Sequence, residues 1–320
     1  MNEFAVIKKY FSNLTKNNKG SFDLSDDIFF DYKKKIGISI DTFIEGRHFL
    51  NFINPNLVIK KALRGAISDL ICKGIIPQYY FMSCSGNKKH LTKVNLAKIK
   101  LALKEEQKKY NIFLAGGDTS YSNKLSITIA VVGYSKKNPV LRSGAKIEDD
   151  IYITNTIGDA FVGLKVLKGR IKLSKKNSNY FIRKFYLPTL PMKFSKKIHL
   201  FANSAIDISD GFFQDLQHIL SRSNLSSKIF KNKIPISSYL NSYLIRTKKN
   251  KLNFISNGDD YQILFTASKK MRHLIKKISK STSTKVSIVG IVKNKSTSKN
   301  RKSTEEKFKF PKKLGYIHNF

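Results

Sequence analysis

Hydrophobic and polar positions alternate in two rhythms along the chain, and the rhythm changes repeatedly in each half. Period-two or short continuous apolar runs predict strands at Lys35–Ile40, Ile112–Ala115, Leu125–Tyr134, Asp150–Thr154, Ser204–Asp207, Tyr261–Ala267 and Val286–Val292. A helical rhythm runs from Asn56 to Lys73, where Leu57, Ala62, Leu63, Ala66, Ile67, Leu70 and Ile71 form one broad apolar face and Gly74 and Pro77 end it. Further helices are expected from about Thr92 to Tyr110, from Gly158-Asp159 to Leu167, from Asp210-Gly211 to about Ser221, and from Lys269 to about Lys280. The polar stretch Gly169–Ser178 reads as a loop, and Lys293–Lys309 as a charged low-complexity loop. Strands and helices mixed in this way in both halves predict an α/β (α+β) fold, with a boundary at Lys136-Lys137-Asn138-Pro139. The expected domains are 1–138 and 139–320, which suits 320 residues at roughly 150 residues per domain.

Composition narrows the class. Hydrophobic residues make up 41%, enough for packed cores, and no apolar run approaches the roughly 20 residues of a membrane span. The first residues lack the basic, apolar and small-residue order of a signal peptide, and Cys72 and Cys84 are too few for a disulfide framework. A cytoplasmic protein is therefore expected. The formal net charge of +38 would suit a nucleic-acid-binding protein. The lysines are spread over the whole chain, however, and no RNA-binding signature interleaves them with aromatics, so specific nucleic-acid binding is not expected. A positive surface attracts anionic small molecules equally well.

The acids carry more information. Three apolar strands are each expected to stop at an Asp in a small-residue turn: Ile38-Ser39-Ile40-Asp41-Thr42, Leu114-Ala115-Gly116-Gly117-Asp118-Thr119 and Ala205-Ile206-Asp207-Ile208-Ser209-Asp210-Gly211. Each Asp alone could be a turn or capping residue. Together, carboxylates at strand ends, glycines that admit a phosphate and a helix N-terminus after Gly211 suggest Mg2+-held phosphates. Asp69 lies at i+3 from Ala66 and i+7 from Ala62, so small side chains leave room before its carboxylate. There is no Walker A motif, no protein-kinase motif set and no zinc spacing, and lone histidines such as His48 are as well read as structural.

Eight blocks in order then resemble a known family. They are Ser25-Asp26-Asp27; Ser39-Ile40-Asp41-Thr42 through Gly46-Arg47-His48-Phe49; Lys61-Ala62-Leu63 with Ser68-Asp69-Leu70; Gly116-Gly117-Asp118-Thr119; Arg142-Ser143-Gly144-Ala145; Asp207-Ile208-Ser209-Asp210-Gly211; Gly258-Asp259-Asp260-Tyr261; and Gly315-Tyr316-Ile317-His318. The chain resembles the thiamine-monophosphate kinases, of the superfamily that includes aminoimidazole ribonucleotide synthetase and selenophosphate synthetase, from about Asp23 to Phe320. The Arg-Ser-Gly-Ala and closing Gly-Tyr blocks favour this family over its relatives, and no N-terminal reactive Cys of the selenophosphate-synthetase kind is present. An ATP-using relative acting on another acceptor is the competing reading.

The resemblance implies a two-domain fold with mixed sheets flanked by helices, an N-terminal domain that binds ATP and Mg2+ and pairs as a homodimer, and a C-terminal domain that completes the site. It implies transfer of a phosphoryl group from ATP to thiamine monophosphate, with several Mg2+ ions. By motif match, Asp27, Ser39, Ile40 through its backbone, Asp41, Asp69, Asp118, Asp207 and Asp210 would ligate Mg2+, with Asp69, Asp118 and Asp210 at the centre of catalysis. Gly117, Asp118, Arg142 and Ser209 would contact ATP; His48, Asp259 and Tyr316 would contact the thiamine phosphate. Three departures stand out: Ser25 where the family has Gly, Ala66 where it has Asn, and Asp259 where it has Glu.

Overall fold

The computed structural model describes residues 3–295 and 314–316. Its first sheet holds β1 (Phe29–Asp31), β2 (Ile36–Ile44), β3 (Ile76–Gly86), β4 (Phe113–Tyr121) and β5 (Ser126–Tyr134), in the order β1-β2-β5-β3-β4. All neighbours are antiparallel except β3 and β4. The second sheet holds β6 (Asp150–Thr154), β7 (Ser204–Asp207), β8 (Leu225–Ile229), β9 (Ile263–Ala267) and β10 (Val286–Asn294), in the order β7-β9-β6-β10-β8 and antiparallel throughout. Two mixed α/β halves, each built on a five-stranded sheet with helices, are thus the architecture.

The helix Pro55–Cys72 organises the first half. Its apolar face packs on β2, β5 and β3, and Ala62, Leu63, Ala66, Ile67 and Leu70 are fully buried. Burial on this scale is worth about 1.5–3 kcal/mol for each large side chain. The helix Lys93–Tyr110, capped by Thr92 Oγ1 accepting from Asn95 N at 3.1 Å, lies against it. In the second half β6 and β9 are buried at every position, as central strands covered on both faces must be. The halves share an interior: Phe185, Tyr186, Leu190 and Tyr261 belong to the first core.

Several expectations need correcting. Asp41 does not end its strand, since β2 continues to Ile44. Gly116-Gly117-Asp118-Thr119 is no turn but the middle of β4. Glycine is needed at 117 because φ is +157° and a Cβ would meet the Met82 carbonyl at 1.9 Å. The segment Gly169–Ser178 is a loop only to Ser174, whose hydroxyl caps the helix Lys175–Tyr186 that buries Phe181 and Phe185. Strand β8 and the helix Ser238–Thr247 were not foreseen, and of β3 only a strand-like run around Cys84 was. β10 ends at Asn294, and the expected low-complexity loop lies otherwise outside the described residues apart from Lys295.

Candidate active site

Strand alternation aims Asp41 at the helix Pro55–Cys72. Its neighbours on that face are Ser39, whose Oγ donates to the Ala66 carbonyl at 2.9 Å, and Phe43, which closes on Gly65. Asp69 stands half-buried on the last turns of the same helix, beside Ala62 and Ala66 as expected. One residue before it, the Ser68 hydroxyl donates to Asp207 at the end of β7, 2.5 Å away. Asp207 is 1% exposed, and the Ser209 hydroxyl donates to it at 3.5 Å. Beyond it, Asp210 precedes Gly211 and the helix Phe212–Arg222. Acids from both halves therefore converge: Asp41 and Asp69 from the first, Asp207 and Asp210 from the second.

Their mutual repulsion shows in their protonation. Burial first, then the charges of Asp207 and Asp27, push the Asp41 carboxyl up to about 7. Burial and Asp207 push Asp210 up to about 7, and burial and Asp27 push Asp207 up to about 6 against the opposing Ser68 hydrogen bond. Burial, Asp41 and Asp207 hold Asp69 well above the usual carboxylate range. Asp27 behaves in the opposite way. Burial alone would raise it, but Arg142 and Lys73 overcome burial and hold it well below that range.

Arg142 grips the N-terminal acids. Its guanidinium donates to both Asp27 oxygens, through Nε to Oδ2 at 3.1 Å and through an Nη hydrogen to Oδ1. Its backbone N–H donates to Asp26 Oδ2 at 2.7 Å. Lys73, 0% exposed, donates to Asp26 Oδ1 at 2.8 Å, Asp27 Oδ2 at 2.7 Å and the Ala205 carbonyl at 2.8 Å. Sequence reading passed over Lys73 and Asp215, and named Asp26 only as part of the Ser25-Asp26-Asp27 block. A lysine at the end of the run Leu70-Ile71-Cys72 with Gly74-Ile75-Ile76 after it was the available signal. Asp215 is also held well above the usual range, by burial and then Asp210 and Asp207, and it accepts from the Gly211 N–H at 3.0 Å.

The expected substrate residues flank this centre. Asp259, at φ +69°, accepts from Lys61 Nζ at 2.6 Å and Tyr261 OH at 3.2 Å, and its N–H donates to the Ser209 carbonyl at 2.9 Å. Tyr261 and Phe43 both close on Gly65, and His48 meets Phe43 edge-on at 5.6 Å. His48 Nδ1 accepts from the Ile44 N–H at 2.9 Å, so the neutral ring carries its proton on Nε2. Tyr316 N donates to the Asp210 carbonyl at 3.1 Å, which docks the closing Gly315-Tyr316 block on the acid loop. Ile317 and His318 lie outside the described residues.

Asp118 and Gly117 are not brought in. In register, Asp118 faces Ser83, Ser83 faces Thr128 and Thr128 faces Thr42, so Asp118 shares the exposed face of the sheet opposite to Asp41. Three strand spacings of about 4.8 Å also separate β4 from β2. Ile40 likewise turns its side chain to that face, at 67% exposure. Two cavities, of about 370 Å³ by Phe181, Tyr239 and Arg246 and about 240 Å³ by Thr156, Asp159 and Asp260, are not lined by the converging acids.

Comparison with known proteins identifies the family. Residues 25–135 match the family model described as AIR synthase related protein, N-terminal domain. A thiamine-monophosphate kinase of Buchnera aphidicola subsp. Acyrthosiphon pisum is 35% identical over 99% of this chain and 98% of its own. The chain belongs to the thiamine-monophosphate kinase family. The solved Aquifex aeolicus thiamine monophosphate kinase superposes with a TM-score of 0.80 at 26% identity, covering 92% of this chain and 94% of its own. AaThiL complexed with AMPPCP and TMP superposes at 0.81 and 27% identity, covering 92% of this chain and 91% of its own.

Proposed function

We propose that this chain transfers the terminal phosphoryl group of ATP to thiamine monophosphate, giving thiamine diphosphate and ADP, with Mg2+ held by Asp41, Asp69, Asp207 and Asp210. The observation that carries this reading is the convergence of those four buried carboxylates from both halves, with Ser68 beside Asp69 bonded to Asp207; burial raises all four, Asp207 further raises Asp41, Asp69 and Asp210, and Asp27 raises Asp207. A cluster of hard oxygen donors short of compensating charge suits Mg2+. When bound, Mg2+ would neutralise phosphoryl oxygens of the nucleotide.

The chain's own residues account for the rest. The acceptor is a phosphate oxygen already anionic near neutral pH, so no strong general base is required and positioning dominates. Arg142, whose Nε and one Nη already grip Asp27, would turn its remaining guanidinium N–H groups to ATP phosphates, and the N-terminus of the helix Phe212–Arg222 would favour an anion. Ser209, whose hydroxyl lies beside Asp207, is placed to touch the same phosphates. With Nδ1 committed to Ile44, His48 is a donor through Nε2 and suits the substrate phosphate. Asp259, fixed by Lys61, and Tyr316, on the Asp210 loop, are placed to meet the thiamine part, the tyrosine ring by stacking.

Asp118 fits this reading through a second copy. The sheet face that carries it is exposed and apolar at one end, with Ile40, Tyr79, Phe81 and Phe113 between 37% and 67% exposed. A homodimer paired through this face would bury those side chains and leave Gly117 and Asp118 to serve the partner's site. Cytoplasmic residence follows from the substrates; among the described residues no helix is long and apolar enough to cross a membrane. The deciding experiment is Mg2+-dependent formation of thiamine diphosphate by the purified chain. Turnover of ATP with thiamine monophosphate left untouched would reject the substrate assignment and favour another acceptor.

A further inference from the structure

Lys73 is a buried cation that no step of the proposed reaction uses. It closes the helix Pro55–Cys72, and its backbone is held on both sides: its N–H donates to the Leu70 carbonyl at 3.1 Å and its carbonyl accepts from Val140 N at 3.0 Å. Its ammonium has three hydrogens and three oxygen partners, Asp26 Oδ1, Asp27 Oδ2 and the Ala205 carbonyl, all at 2.7–2.8 Å. These oxygens come from two separate segments, the N-terminal acids and β7, and Lys73 ties both to the end of the helix Pro55–Cys72. Ala205 lies two residues before Asp207 on β7, so the ammonium sits at the base of the acid cluster.

Two carboxylates and a backbone carbonyl converging on one point form the donor set that a hard divalent cation takes. Here the point is occupied by a charge tethered to the chain. We propose that Lys73 is a built-in cation of the metal cluster, filling with its ammonium a position that Mg2+ would otherwise occupy between Asp26, Asp27 and Ala205. Lys73 is thus a positioning residue. It holds Asp26 and Asp27 in place beside Arg142, and it confines exchangeable Mg2+ to the acids on the open side. A buried ion bridge that serves only to join segments would use the same contacts, so the two readings part only on metal number.

The inference rests on the Mg2+ reading above, and one titration separates their failures. Full-length native protein, Lys73→Ala and Lys73→Gln are titrated with Mn2+ in the absence of ATP, with free Mn2+ counted by electron paramagnetic resonance. Lys73→Ala opens the position and is expected to bind one more Mn2+ per chain than the native protein. Lys73→Gln keeps the bulk and removes the charge, so added Mg2+ should raise its melting temperature by more than it raises the native one. A folded Lys73→Ala chain with the native Mn2+ number overturns the proposal. If Lys73→Ala does not fold, a native-sized Mg2+ response of Lys73→Gln overturns it instead. A native protein that binds no Mn2+ at all refutes the metal reading itself.

Discussion

Asp69 is a residue whose charge opposes folding and, in the proposed reaction, serves chemistry. Its carboxyl is held well above the usual range by burial and by Asp41 and Asp207, so ionising it near neutral pH works against the folded state. Asp69→Asn keeps the shape and removes the charge. The expected result is loss of about 10²–10³-fold in kcat, as for a removed group that stabilises transition-state charge. The metal-free variant should melt higher than the native chain, and each 1 kcal/mol of relief corresponds to roughly 2–4 °C in a domain of 150–250 residues. Calorimetry with and without Mg2+ checks it, and a lower melting temperature in the metal-free variant defeats the account. Activity lost with stability gained is the pattern of a site that stores repulsion until a cation arrives.

At the scale of elements, the loops that carry the site are locked to one another by backbone contact. Gly258 shows how tightly: a Cβ there would stand 1.6 Å from the Ser209 carbonyl, which is backbone and cannot swing aside. Gly258→Ala should therefore push the Asp259 turn away from the Asp207–Gly211 loop and break the Asp259 N–H bond to Ser209. The expected cost is about 1–3 kcal/mol in stability, as for overpacking, with KM for thiamine monophosphate raised more than KM for ATP. Equal changes in both would place Asp259 away from the acceptor. The same loops show what sequence patterning can and cannot reveal. The helix Pro55–Cys72 and the Asp207–Gly211 loop were legible because apolar periodicity and a strand–Asp–Gly–helix order are local. That β2 runs past Asp41, and that Gly116-Gly117-Asp118 lies within β4, depends on pairing with distant strands, which no local pattern encodes. The role of Lys73 was hidden for the same reason, since its partners lie at Asp26, Asp27 and Ala205.

For the whole molecule, the proposed Mg2+ would compete with protons for one set of oxygens. Asp41 and Asp210 are pushed up to about 7 and Asp207 to about 6, all above the unfolded carboxylate value near 3.9. Between about pH 4 and pH 7 the folded chain thus holds protons that the unfolded chain has lost, and stability of the metal-free protein falls as pH rises through that window. Saturating Mg2+ keeps these groups ionised and should flatten the slope, while apparent Mg2+ affinity weakens from pH 8 towards pH 6. Melting curves across pH, with and without Mg2+, test both; a metal-free slope of the opposite sign contradicts the clustering. Assembly is the larger test. Asp69 belongs to the acid cluster of its own chain, whereas Asp118 faces outward on β4. If Asp118 serves the partner's site, Asp69→Asn and Asp118→Asn chains are each inactive alone but complement when mixed. In a mixed dimer one site collects both defects, and the other has an intact Asp69 from one chain and an intact Asp118 from its partner. Random exchange makes half the dimers mixed, each with one working site of two, so about a quarter of native activity should return. No recovery on mixing, with subunit exchange verified by mass spectrometry, would assign Asp118 to its own chain. Phe81→Glu, which puts a charge in the exposed apolar face, should leave a monomer that has lost the same activity.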